Sequence, residues 1–188
     1  MRQINMVLCG LGGQGILFMT KVLARTALGK GMNVLGAETH GMAQRGGSVV
    51  SHLRLGNVNS SLVNAGECHQ MLALEENEAC RNLPLLAQGG TLFVNTNANP
   101  FPESRVQTYL NRLEIKCRSV SAGKIALDLG TPMASNLALI GFMSTFKESP
   151  FSTAEIRTTI DTISPDRFKT MNFKVFDAGC RWRQQADH

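Results

Sequence analysis

The chain has 188 residues, 43% of them hydrophobic and 18% charged, with a formal net charge of +5. That is enough chain to bury one core without disulfide or metal staples, and it is too apolar for a disordered segment. The basic residues are scattered and the aromatic ones few, which argues against a nucleic-acid groove built from a cationic stripe and stacking rings.

Taken in chain order, residues 3–9 read as a fully buried strand. Ile16, Met19, Val22, Leu23 and Ala27 then give one apolar face to a helix over about 13–30, closed by Gly29 and Gly31. A second strand over 33–37 completes a βαβ unit, for which a parallel sheet with a right-handed crossover is the default. Residues 38–47, ETHGMAQRGG, form a polar loop. In SVVSHLRL (48–55) apolar and polar positions alternate, the pattern of a strand near a sheet edge or a partner surface.

A strand over 69–74 follows, then a helix over 75–88 interrupted by Pro84, and a buried strand over 89–96. After the loop 97–102 come a short helix over 105–113, a strand over 115–120 and a helix over 121–130, with Ser121 at its N-cap and Gly130 beyond its end. The segment 133–146 is apolar nearly all round and reads as a buried helix. Ser152 and Glu155 form a capping-box signature that starts another helix. The tail 171–188 has no firm assignment; a solvated terminal helix is the simplest reading, with Trp182 between two arginines. The whole chain, 1–188, is expected to be a single α/β domain: a Rossmann-like open, mostly parallel sheet with helices on both faces.

No apolar run approaches the roughly 20 residues that span a bilayer, and MRQINMVLCG reads as a strand rather than a secretory signal. The expected location is therefore cytoplasmic, with no membrane or nucleic-acid partner. The five cysteines, Cys9, Cys68, Cys80, Cys117 and Cys180, form no C-x-x-C pair and no zinc or cluster spacing. They read as reduced, mostly buried small hydrophobes.

Gly10, Gly12 and Gly15 in GLGGQG meet the dinucleotide pattern G-x-G-x-x-G between a strand and a helix. A helix start offers unpaired N–H groups and partial positive charge, so phosphate is a natural ligand. Glu38 stands where such a fold places the acid that holds a ribose hydroxyl. Two features weaken that reading. Gly13 and Gln14 add a further glycine and an amide at the tip of the turn, and no later segment supplies an acid–base set for hydride chemistry. His40 and His52 are the only histidines in plausible places. A tight turn with no ligand is the other reading of the same glycines, and neither a P-loop nor a G-x-S-x-G elbow is present.

The stretch 38–49 is dense in residues that seldom cluster without cause. Gly41, Gly46 and Gly47 permit unusual backbone angles and close approach, and Glu38, Thr39, His40 and Gln44 offer mixed donors and acceptors. Met42 is an adaptable apolar contact, and Arg45 is suited to grip an anion bidentately. A binding or interface role is expected for this loop.

GLGGQG followed by ETHGMAQRGGSVVSHLRLG resembles the gamma-type module of the 2-oxoacid:ferredoxin oxidoreductases. HGMAQRGG is the distinctive form of that family's indolepyruvate-type branch, and the resemblance continues through LALEENEACRNLPLL, GGTLFVNT and SNLALIGF. It implies a complete enzyme that oxidatively decarboxylates a 2-oxoacid, passes the acyl group to coenzyme A and reduces ferredoxin. Aryl pyruvates are the substrates that the indolepyruvate-type form implies. Thiamine diphosphate, magnesium and iron–sulfur clusters carry that chemistry in the family. This chain has no G-D-G…N thiamine motif and no cluster-spaced cysteines, so the resemblance places those cofactors in a larger partner subunit and makes this chain inactive alone.

The resemblance further implies loops that pack against the thiamine-binding domains and help form the approach for coenzyme A. Gly10, Gly12, Gly13, Gln14 and Gly15 would make one wall; His40, Gly41, Met42, Gln44, Arg45, Gly46, Gly47 and Ser48 would make the other. Asn136 is a weaker candidate, a satisfied buried amide being its simpler account. Two alternatives stand beside this: a stand-alone NAD(P)- or FAD-binding oxidoreductase, and a ligand-free interaction module.

Overall fold

The computed structural model describes residues 3–41, 46–96 and 101–186. Six strands form one sheet in the order β2-β3-β1-β4-β5-β6. They are β1 (Ile4–Leu11), β2 (Val34–His40), β3 (Ser48–Leu55), β4 (Cys68–Ala73), β5 (Leu86–Asn95) and β6 (Lys116–Val120). The helices are α1 (Ile16–Gly29), α2 (Glu76–Asn82), α3 (Ser104–Arg112), α4 (Ala122–Asp128), α5 (Ser135–Ser144), α6 (Thr153–Ile163) and α7 (Asp166–Ala186). β1, β4, β5 and β6 run parallel, and β3 is antiparallel to both its neighbours.

The simple βαβ expectation is therefore corrected. β1 and β2 point the same way, but β3 lies between them. The connection 41–47 is too short for a parallel crossover, which takes a dozen or more residues, so β3 folds back antiparallel on β2 and fills the gap beside β1. β2 also extends beyond the expected 33–37, taking Glu38 and His40 out of the loop and into the strand. β5 begins at Leu86 rather than 89, because α2 ends at Asn82 and a single 3-10 turn over Leu83–Leu85 absorbs Pro84.

Alternate residues of each central strand feed opposite cores, as a pleated strand must. Met6 and Leu8 of β1 join Leu72, Phe93 and the helices α1, α4, α5, α6 and α7 on one face. Val7 and Cys9 join Met71, Val94 and the helices α2 and α3 on the other. All five residues assigned to the apolar stripe of α1 are buried, and the expected capping box at Ser152 and Glu155 is formed. Ser121 stands at the N-cap of α4 without a side-chain cap; Asn95 Oδ1 accepts from Gly123 N–H at 3.0 Å instead.

The polar alternation of β3 predicts a strand near a sheet edge or a partner surface, and β3 is the second strand from the edge, covered on its outer side by β2. Its polar side chains are covered by the connection 56–67 in place of a helix. Arg54 is only 8% exposed. Its Nε donates to Asn5 Oδ1 at 3.1 Å, and its Nη1 donates to the Leu62 carbonyl at 3.0 Å and to Ser60 Oγ. His52, also 8% exposed, accepts from Val63 N–H on Nδ1 at 3.2 Å.

Burial holds His52 below the ordinary histidine value. The unfolded chain then takes up a proton near pH 6.5 that the folded chain refuses. His52 thus contributes stability that is fully present above that pH and is lost as pH falls through it toward the lower folded value. The slope is at most about 1.4 kcal/mol per pH unit. Between pH 7.5 and 5.5 the wild type should lose more stability in urea titrations than His52→Asn, which keeps an acceptor for Val63; equal losses would contradict this.

The C-terminal tail is no solvated appendage. In α7, Val175 and Phe176 are fully buried, and Trp182 packs against the main core. α7 lies on α5, the helix expected to be apolar all round, and every residue of α5 from Asn136 to Ser144 is buried.

Candidate functional site

α1, which follows β1, covers one face of the sheet, and α2, which follows β4, covers the other. The gap between β1 and β4 is thus the point where successive connections diverge, and open α/β sheets place ligands there, beyond the carboxyl ends of the strands. An open cleft of about 490 Å³ lies at that point, lined by Gly13, Gln14, Glu75, Asn95, Lys124 and Ser135, with Leu127 and Met133 on its rim.

The glycine loop is clasped on itself. Leu11 N–H donates to Gln14 Oε1 at 2.8 Å, and Gln14 N–H returns to the Leu11 carbonyl at 3.1 Å. Gln14 Nε2 donates to the Glu75 carboxylate across the β1–β4 gap. A Cβ on Gly10 would stand 2.7 Å from Gln14 Oε1, so the glycine and the amide require each other.

The second loop is tied to the first. Gly12 N–H donates to the Gly47 carbonyl at 2.8 Å, and Gly46 N–H to the Gly12 carbonyl at 3.4 Å. Gly41 N–H bonds the Ser48 carbonyl at 2.8 Å, closing the mouth of the β2–β3 connection. Ser48 Oγ donates to Glu78 at 2.6 Å. Gly10, Gly12, Gly13, Gln14 and Gly15 are thereby brought beside Gly46, Gly47 and Ser48. Met42, Gln44 and Arg45 lie outside the described residues.

This geometry disfavours a dinucleotide. Peptide donors of the glycine loop, at Leu11, Gly12 and Gln14, are spent within the protein rather than aimed at a pyrophosphate. Glu38 is exposed on edge strand β2, with β3 interposed, so it stands two strand spacings, about 10 Å, to the side of β1. The ribose acid of the fingerprint is not where a dinucleotide would need it.

Asn136 has a defined task. Its Nδ2 donates to the Gly15 carbonyl at 3.1 Å, and its Oδ1 accepts from Leu137 N–H at 2.7 Å. It is the satisfied amide, and it locks the start of α1 to the start of α5. Sequence reasoning missed Glu75, Asn95, Lys124 and Ser135 as lining residues. The carboxylate run directly after strand β4 was a readable sign of the first, whereas nothing in the local pattern singled out Lys124.

Among the described residues no group of three His, Cys, Asp or Glu side chains could hold a metal ion. Burial pushes the thiols of Cys68 and Cys117 up to about 12 and about 11. Burial and the charge of Glu78 push Cys9 up as well, so these sulfurs are protonated small hydrophobes in or packed against the core. No helix among the described residues is long and apolar enough to cross a membrane.

The family model for pyruvate ferredoxin/flavodoxin oxidoreductase matches residues 5–182. Indolepyruvate oxidoreductase subunit IorB of Archaeoglobus fulgidus is 32% identical over 94% of each chain, and that of Pyrococcus horikoshii is 34% identical over 96% of each. The crystal structure of a keto/oxoacid ferredoxin oxidoreductase gamma subunit from Geobacter sulfurreducens superposes with a TM-score of 0.76 at 19% identity, covering 97% of this chain and 99% of that one. At that identity it speaks for the fold alone. A 2-oxoglutarate:ferredoxin oxidoreductase from Magnetococcus marinus, solved with 2-oxoglutarate, coenzyme A and succinyl-CoA, gives a TM-score of 0.77 at 14% identity, with this chain spanning 32% of its length.

Proposed function

Because this chain belongs to the pyruvate ferredoxin/flavodoxin oxidoreductase family, we propose that it is the non-thiamine-binding subunit of a 2-oxoacid:ferredoxin oxidoreductase, acting on indolepyruvate or related aryl pyruvates. The observation that carries the reading is the match to indolepyruvate oxidoreductase subunits IorB over 94% or more of both chains at above 30% identity. Thiamine diphosphate, magnesium and iron–sulfur clusters belong to a larger partner subunit, since no three His, Cys, Asp or Glu side chains among the described residues could hold a metal ion. The complex passes its electrons to ferredoxin in the cytoplasm.

This chain's part is to complete the cleft. The joined glycine loops present backbone to the partner at the carboxyl end of the sheet. Lys124 in the cleft and Arg45 on the adjoining loop supply cationic donors for the phosphates of coenzyme A. The exposed side chains of Leu127 and Met133 offer apolar surface at the rim.

Steady-state kinetics on the anaerobically prepared complex test the reading. Activity should require both subunits, a 2-oxoacid and coenzyme A, with aryl pyruvates preferred over pyruvate. Arg45→Ala should raise the KM for coenzyme A, or weaken assembly, by about tenfold, the cost of one lost charged hydrogen bond. Unchanged kinetics and unchanged assembly in that variant would count against both roles for Arg45.

A further inference from the structure

Three loops meet at the site, and each is held by a different carboxylate from one turn of chain. Residues 75–78, Glu-Glu-Asn-Glu, carry the chain from β4 into α2. Glu75 accepts from the amide of Gln14, in the β1–α1 loop. Glu76 accepts from the hydroxyl of Thr96, just beyond β5. Glu78 accepts from Ser48 Oγ, where the β2–β3 loop ends. Asn95 adds a fourth tie, donating to the Leu74 carbonyl at 3.1 Å while accepting from Gly123 at the start of α4.

Glu78 is 3% exposed, and its other partner is the guanidinium of Arg81 at 3.2 Å. A carboxylate this enclosed does nothing for packing that an apolar side chain would not do better. Its position is intelligible as a fixed acceptor. An ionised carboxylate only accepts, so an amide or hydroxyl donor opposite it has one available polarity.

We propose that the acidic turn Glu75–Glu78 is the positioning element of the site. Glu76 and Glu78 touch neither partner nor substrate; they set the relative placement of the loops that do. Glu78 acts through Ser48, and Ser48 in turn through the pair Gly47–Gly12. The proposal rests on the reading that these loops meet the larger subunit and coenzyme A.

The test is a double-mutant cycle on the complex co-expressed with its larger subunit, using Glu78→Gln, Ser48→Ala and both. Each single variant should weaken assembly, or raise the KM for coenzyme A, by about tenfold. The double variant should be no more than about twofold worse than either, the signature of one shared interaction, and Ser48→Thr, which keeps the hydroxyl, should restore most of the loss. Amide exchange on the isolated chain separates this proposal from the subunit reading. Glu78→Gln should speed exchange at Gly12 N–H about tenfold and leave α5 and α7 unchanged. Unaltered exchange at Gly12, or additive effects in the cycle, overturns the positioning role. Faster Gly12 exchange in Glu78→Gln, together with a wild-type chain that ignores the larger subunit, overturns the subunit reading alone.

Discussion

Gly179→Ala should lower stability by about 3 kcal/mol and the melting temperature by about 10 °C. α5 and α7 cross so closely that a Cβ on Gly179 would lie 2.1 Å from the Ala138 carbonyl oxygen and 2.8 Å from its carbon. From the other side, a Cβ on Gly141 would lie 2.2 Å from the Phe176 carbonyl oxygen. Both obstacles are backbone, so no rotamer change relieves them, and the helices must separate. Separation withdraws Val175 and Phe176 from the core they fill. Gly29→Ala is the internal control, because nothing lies within 4 Å of the added carbon, and it should be neutral or slightly stabilising. Thermal unfolding of the three proteins decides the matter: a Gly179→Ala melting point within about 2 °C of wild type would show that the crossing tolerates the methyl.

Gly15→Ala should be nearly as damaging, and part of the damage should be reversible. Gly15 has φ +80, where an L side chain costs about 1–2 kcal/mol, and its Cβ would stand 2.3 Å from Asn136 Nδ2. Asn136→Ala alone removes the bond to the Gly15 carbonyl and should cost about 1 kcal/mol, the net worth of one hydrogen bond, because that carbonyl keeps the bond from Met19 N–H at 3.0 Å. In the double variant the clash is gone and only the backbone strain and the lost bond remain, so the two substitutions should sum to less than their separate costs. Urea titration of the four proteins measures the coupling. Strict additivity would mean that Asn136 does not hold the start of α1.

Legibility in the sequence followed the range of the interactions. The stripe of α1, the capping box of α6 and the buried α5 were readable because helix periodicity and caps are local. The two glycine loops were readable as a pair, and the structure joins them through Gly12 and Gly47. Strand order was not, although the short connection 41–47 already forbade a parallel crossover. The polar face of β3 was legible as polar but not as covered, because solvent and a polar cover look alike in a pattern: Arg54 and His52 are buried by the connection that follows the strand. The tail was legible as a terminal helix but not as a docked one, because the docking of α7 depends on Gly141 and Gly179, residues that lower helix propensity locally and matter only across the contact. Glu75, Glu76 and Glu78 read as an ordinary helix start, their partners lying 61, 20 and 30 residues away.

The central claim is that this chain works only as the companion of a larger, cofactor-bearing subunit. Anaerobic affinity purification of the chain from its own cells, with companions identified and iron and thiamine diphosphate assayed together, tests it most directly. The account predicts a larger chain recovered in constant ratio, carrying both iron and thiamine diphosphate. A chain that emerges alone, or with a bound nicotinamide or flavin nucleotide, would contradict it.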